Sequence, residues 1–187
     1  MVRKKAKSLI IFECFPKCEG DKEGEVLYNL LDMIGDSELD EMYLWEISSR
    51  KQLLNRLKRK DSIKRYDYIH LSGHGDIDRN VFETPKGVLA PEDFPKDCFE
   101  GKTVTFSSCE IGRTKFAEPF RKHTGARYVI APRNEVSTID SAFWFVSFYF
   151  WVLEKKVRPD TAYDRTDDYI KGRDVKGGFG IWGDFKD

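Results

Sequence analysis

No apolar stretch in this chain is long enough to span a bilayer. The strongest run, Ala142 to Leu153, has 12 residues, against the roughly 20 a membrane helix needs. An excess of charge is missing too. Lys plus Arg number 32 and Asp plus Glu number 32, so no net field favours nucleic acid or a membrane surface. Cysteine is scarce: Cys14, Cys18, Cys98 and Cys109 are all there are. Four in 187 residues cannot make a disulfide scaffold. Cys14 and Cys18 have no second Cys or His pair at zinc-site spacing, so neither metal nor other cofactor is expected. The basic start, Met1 to Lys7, leads into Leu9-Ile10-Ile11-Phe12, a run that Glu13 ends too early for a signal-peptide core. These absences together predict a cytoplasmic protein in a reducing compartment. Repeats, low-complexity tracts and internal boundaries are lacking as well, which predicts one domain over residues 1–187.

What is present alternates between strand and helix patterns. Ser8–Cys14 reads as a strand, and Glu25–Ile34 carries Val26, Leu27, Leu30, Leu31 and Ile34 at helical spacing. Glu41–Ile47 is a second strand. Ser48 or Ser49 can cap a basic helix with Leu53, Leu54 and Leu57 on one side. Tyr66–Ser72, Lys102–Ser107 and Arg127–Ala131 are further strands, the last stopped by Pro132. Phe116–His123 is a helix with Gly125 after its end, Ile139–Leu153 a long apolar helix, and Phe179–Trp182 a short final strand. Strands separated by helices predict an α/β fold: a mostly parallel central sheet of about six strands, covered by helices on both faces. Asp76–Gly101 breaks the pattern, being long, polar and punctuated by Pro85, Gly87, Pro91 and Pro95. Between two site-bearing strands, such a segment reads as an active-site loop.

Two strands end in reactive side chains. Tyr68-Ile69-His70-Leu71-Ser72 runs into Gly73-His74-Gly75, and Val104-Thr105-Phe106-Ser107-Ser108 into Cys109-Glu110-Ile111-Gly112. In open α/β sheets, sites gather at the carboxyl ends of strands. A His and a Cys brought together there can act as general base and nucleophile. The plain alternatives are a turn histidine without chemistry and a buried inert cysteine. Those alternatives suit His70, read as a packed strand residue, and Cys98. His123 reads as a cation at a helix C-terminus, and Glu110 as pointing to solvent.

The two blocks resemble the signature regions of caspase-fold (clan CD) cysteine peptidases, and in particular the CHAT domain, related to caspases and separase. Ser107-Ser108-Cys109-Glu110-Ile111-Gly112 is similar to the CHAT block S-A-C-E-T-G. Ala126–Ala131 resembles its next strand, Val136–Ala142 with Phe148-Tyr149 its following helix, and Phe179–Asp184 its closing strand. The Gln-Ala-Cys-x-Gly block of caspases is absent, as is the Asp before Cys of metacaspases. The usual adjoining repeat domain is missing as well.

The resemblance implies a three-layer caspase-like fold and a thiol protease acting on a protein or peptide substrate through a thioester. Cys109 would be the nucleophile and His74 the proton carrier. The backbone N–H groups of Gly75 and Cys109 would form the oxyanion hole. The resemblance further implies a P1 pocket at Asp140 and Ser107 taking Arg or Lys, with Arg133 nearby keeping P1 Asp in play. Asp140 could instead cap the aromatic helix. Regulated proteolysis in stress or defence, a separately encoded regulatory partner, and an inactive caspase-like scaffold are further implications.

Overall fold

A computed structural model of the chain describes residues 8–18, 20, 22–34, 41–171 and 178–185, and of Ile34 and Lys60 the backbone alone. The basic start Met1–Lys7 and the Ile34 side chain lie outside what is described. The elements run β1 (Ser8–Glu13), α1 (Glu23–Ile34), β2 (Glu41–Glu46), α2 (Arg50–Lys58), α3 (Lys60–Lys64), β3 (Tyr68–Ser72), β4 (Gly75–Asp76), β5 (Val81–Thr84) and β6 (Gly87–Leu89). They continue with β7 (Thr103–Phe106), α4 (Thr114–Thr124), β8 (Tyr128–Pro132), α5 (Thr138–Tyr149), α6 (Pro159–Ile170) and β9 (Phe179–Gly183).

Six strands form the central sheet in the order β2-β1-β3-β7-β8-β9. Five are parallel, and β9 pairs antiparallel with β8. The inner strands are buried on both faces, which is why they read as mostly apolar runs, with buried polar members such as His70 and Thr105. Alternation still sorts their side chains. Ile10, Phe12, Ile69, Leu71, Val104, Phe106 and Val129 pack under α2 and α4, while Leu9, Ile11, Tyr68 and Ile130 pack under α1, α5 and α6. This is the expected α/β architecture.

The helix ends follow local chemistry. Ser49 caps α2 by accepting the Gln52 N–H, and Gly125 ends α4 in the left-handed conformation at φ 72°. Pro132 belongs to β8 as its last residue. The aromatic helix runs to Tyr149 and then widens into a π turn over Phe150–Glu154, where the Lys155 N–H reaches the Phe150 carbonyl. Trp144 stacks on Phe179 at 4.2 Å, and Phe145, Phe148 and Tyr149 are buried, so this helix serves chiefly as core. Ile139 and Phe143, in its first turns, remain exposed.

Residues 76–101 are better ordered than their composition predicts. They make a three-stranded antiparallel sheet, β4-β5-β6, followed by a 3-10 turn at Pro91–Asp93. Val81, Phe82, Leu89, Phe94, Cys98 and Phe99 are buried beneath it. Pro85-Lys86 is a two-residue hairpin connection with Lys86 at φ 61°, so the proline and glycine mark a turn. Two attachments hold this small sheet to the body. Arg50 reaches the Val88 carbonyl and Asp93, and its N–H donates to the Pro85 carbonyl. Pro119 lacks the N–H that would bond to the Lys115 carbonyl inside α4, and Asn80 donates to that carbonyl at 3.2 Å instead.

Candidate active site

The carboxyl ends of β3 and β7 are neighbours in the sheet, so their trailing turns meet. A Cβ on Gly75 would collide with the carbonyl oxygen of Cys109. On Gly73 it would meet the Phe82 ring at 3.0 Å and the Glu83 carbonyl at 3.1 Å. Neither glycine has a positive φ. Glycine flanks His74 because two neighbouring segments press on the turn, not because the backbone needs a left-handed bend. The small sheet holds the turn as well. The Glu83 N–H donates to the His74 carbonyl at 2.9 Å, and Gly75 faces Phe82 across β4–β5. That bond makes Gly75 the alternate, non-bonded position of the ladder, so its N–H faces away from β5.

Beyond Cys109 the chain turns sharply. Glu110 has φ 58°, the Ile111 N–H returns to the Cys109 carbonyl at 2.8 Å, and the Gly112 N–H donates to the Pro132 carbonyl at 2.7 Å. A Cβ on Gly112 would strike the backbone of Ala131 and Pro132. The turn is thereby fixed to the end of β8. Glu110 pairs with Arg113 instead of standing free in solvent. The Cys109 sulfur lies 3.4 Å from the Val136 nitrogen, whose N–H it accepts, and 3.5 Å from the Val136 carbonyl. Cys109 is half-buried, and His74 is exposed with its ring edge-on to Phe15, centroids 4.5 Å apart.

Ser107 is buried, and its hydroxyl and that of Ser108 have no hydrogen-bond partner among the described residues. Ser137, not Asp140, is the N-cap of α5: its hydroxyl accepts the Asp140 N–H at 3.1 Å. Asp140 sits half-buried in the first turn, four residues after Val136. Arg133 lays its guanidinium over Trp182 of β9, 5.3 Å from the ring centroid. The carboxyl ends therefore gather His74, Gly75, Ser107 and Cys109, with the Val136–Asp140 segment tied on through the sulfur.

Sequence reading missed the polar layer beneath this surface. Glu13 ends β1, and its carboxyl accepts the N–H groups of Phe15 at 3.1 Å and Glu25 at 3.2 Å. Ser72, two residues before His74, accepts the Gly24 N–H at 2.9 Å. The first turn of α1 is thus satisfied by side chains from β1 and β3. His70 is fully buried but not merely packed. Its Nε2 lies 3.0 Å from Glu23, and its Nδ1 lies 2.8 Å from the Thr105 hydroxyl, itself 2.7 Å from the Tyr149 hydroxyl. His123 likewise makes a tertiary bond, 2.8 Å to the Phe94 carbonyl. No periodicity announces such pairs.

Burial holds Glu13 above the ordinary carboxyl range, with Glu23 adding repulsion, against the backbone donors that lower it. The folded chain then grips this proton more tightly than the unfolded chain. Its stabilising contribution is complete at low pH and falls as pH rises from 4.5 through the raised value. Glu13→Gln should flatten that decline, read as urea midpoints over the same pH series. Parallel curves for the two proteins would contradict the assignment. Burial, with Glu13 second, also pushes the Cys14 thiol well above its usual range. Cys14 should therefore be alkylated by iodoacetamide at least about tenfold more slowly than Cys109, measured by mass spectrometry of the native protein. Equal rates would count against this difference in environment.

The sequence matches no family model and no curated protein. Its fold is similar to that of solved cysteine peptidases. The complex of Porphyromonas gingivalis RgpB pro- and mature domains aligns with TM-score 0.58 and 14% identity, over 95% of this chain and 47% of that one. An inactive zymogen C11 protease from Parabacteroides distasonis gives 0.61 and 12%, over 98% and 63%. The Saccharomyces cerevisiae separase–securin complex gives 0.58 and 11%, over 95% and 12%. The chain thus spans about half the length of the first of these chains and less than two thirds of the others. What these likenesses establish is the fold, that of the caspase-like peptidases.

Proposed function

We propose that this chain is a cysteine peptidase that uses Cys109 as nucleophile and His74 as proton carrier. The observation carrying the reading is the contact of Gly75 with the Cys109 carbonyl, which brings the two turns to one point of the sheet edge. The Cys109 thiolate attacks the scissile carbonyl carbon. The peptide C–N bond breaks, the amine leaves with a proton from His74, and water then hydrolyses the thioester. The outward N–H of Gly75, with that of Cys109, supplies the oxyanion hole.

The substrate we assign is a protein or peptide with Arg or Lys at P1, received by Asp140 and the Ser107 hydroxyl, which has no partner among the described residues. Ser137 takes over the capping role, which leaves the Asp140 carboxylate to a ligand. Arg133 stacked on Trp182 offers P1 Asp little. One fold neighbour, gingipain R, is described as Arg-specific. Peptides differing only at P1 test this: cleavage after Arg should exceed cleavage after Asp by at least about 100-fold, since an unpaired buried charge costs several kcal/mol. Unchanged Arg preference in Asp140→Asn would refute the pocket. A stress or defence pathway and a regulatory partner fit the same reading. Two neighbours were solved with a second polypeptide segment, a pro-domain or securin.

The inactive-scaffold reading draws on one observation: the Val136 backbone brackets the Cys109 sulfur, where a substrate would have to enter. An acyloxymethylketone peptide with P1 Arg separates the two. A peptidase labels at Cys109, and a scaffold does not label there.

A further inference from the structure

The neutral total hides a segregated distribution. Residues 50–65 hold eight Lys or Arg and one acid, Asp61, leaving twenty-four bases against thirty-one acids in the rest of the chain. These residues are α2 and α3, anchored by Leu53, Leu57 and Ile63 in the core. Lys51, Asn55, Lys58, Arg59, Lys64 and Arg65 are exposed. No ion pair among the described residues engages Lys51, Lys58 or Arg59, whereas Arg50 and Arg65 are held by Asp93 and Glu41. Ser49, Lys51, Gln52, Asn55, Arg56 and Arg59 line a shallow hollow. Every one of those side chains can donate hydrogen bonds and none is acidic.

Aromatic rings flank the hollow on the sheet edge. The Arg56 guanidinium lies over Trp45, 3.1 Å from the ring centroid. Tyr43 stands 5.8 Å from Trp45 on the same side of β2 and is 49% exposed. Cations in a row pair with phosphates, and adjoining aromatic or guanidinium planes stack on bases. An acidic peptide would use the cations but would have no use for the rings. A second hollow, lined by Arg121, Lys122 and Arg127, also contains Asp184, which salt-bridges Arg121. There Arg121 and Lys122 are paired with Glu118 and Asp184, and Arg127 alone of the three cations has no ion pair among the described residues.

We propose that the outer face of α2–α3, with Tyr43 and Trp45 of the β2 edge, binds single-stranded nucleic acid, through its phosphates at Lys51, Arg56 and Arg59 and its bases at Tyr43. The site is separate from Cys109 and does not depend on the reaction assigned there. Fluorescence anisotropy of a labelled oligo(dT) of about 20 nucleotides, with the whole chain, tests it. Binding should weaken with salt, with a log–log slope near −0.7 per phosphate engaged. Lys51→Glu with Arg59→Glu, both exposed and safe for folding, should weaken it at least about 30-fold. Tyr43→Ser should weaken it several-fold without changing the salt slope, and Lys122→Ala with Arg127→Ala should leave it intact. Three results would overturn the proposal: no binding at about 50 mM salt, equal competition by poly-glutamate together with indifference to Tyr43→Ser, or preference for the same sequence as duplex.

Discussion

Cys109→Ala should lower peptide cleavage to background, a loss of at least about 10⁴-fold, with the chain still folded. His74→Ala should cost about 10²–10⁴-fold, the range for removing a general acid–base. Gly75→Ala is the more discriminating variant, because it leaves both reactive side chains in place. Its methyl would occupy the position of the Cys109 carbonyl, so the two turns must separate and the outward N–H must move. Loss of one oxyanion donor alone is worth about 10²–10³-fold in kcat. We therefore expect at least about 100-fold in kcat, with circular dichroism and urea midpoint showing a folded protein. A Gly75→Ala variant that is folded and near wild-type in kcat would mean that this contact does not organise the chemistry. Near-wild-type turnover in Cys109→Ala would remove the nucleophile assignment itself.

Glu23→Ala should be the most destabilising single change in the polar layer. Glu23 is buried at the first position of α1, where a carboxylate also suits the helix dipole, and it holds His70 at 3.0 Å. A consistent proton arrangement runs from the Tyr149 hydroxyl to Thr105, from Thr105 to Nδ1 of His70, and from Nε2–H to Glu23. Removing the carboxylate leaves a ring nitrogen buried without an acceptor. Leaving such a buried donor unsatisfied costs about 1–3 kcal/mol, and 3 kcal/mol corresponds to about 6–12 °C in Tm for a chain of this size. Glu23→Gln keeps an acceptor oxygen and should recover much of the loss. If Glu23→Ala costs less than about 1 kcal/mol in urea unfolding, water enters the site or the chain of bonds is not formed.

The inner sheet was legible in the sequence because parallel strands buried on both faces are mostly apolar, as Leu9–Phe12 and Val129–Ala131 are, and the buried His70 and Thr105 are admitted by bonding to each other. The placement of His74 and Cys109 at neighbouring strand ends was legible for a related reason: each follows such a run after two small residues. The small sheet was not, since its strands are two to four residues long and their pairing is with each other. Helix α6 was missed because its buried stripe is only Ala162, Thr166 and Ile170, too weak a signal at helical spacing. Glu13, Phe15 and Val136 could not be placed near the site by any local pattern. Their roles come from contacts across the chain, with backbone N–H groups, a ring edge and a sulfur.

The order of strands in the sheet also dictates a timetable. As the chain emerges from the N-terminus, β1, β2 and β3 can pair while Cys109 is still to be made. β7 must then insert beside β3, with residues 76–101 already looped back, before β8 can add. The Gly112 N–H donates to the Pro132 carbonyl, and its Cα lies against the backbone of Ala131 and Pro132, so the cysteine turn sets after β8 has arrived. A nascent chain that stops short of residue 132 thus carries His74 and Cys109 without the β8 backbone that fixes the turn after Cys109.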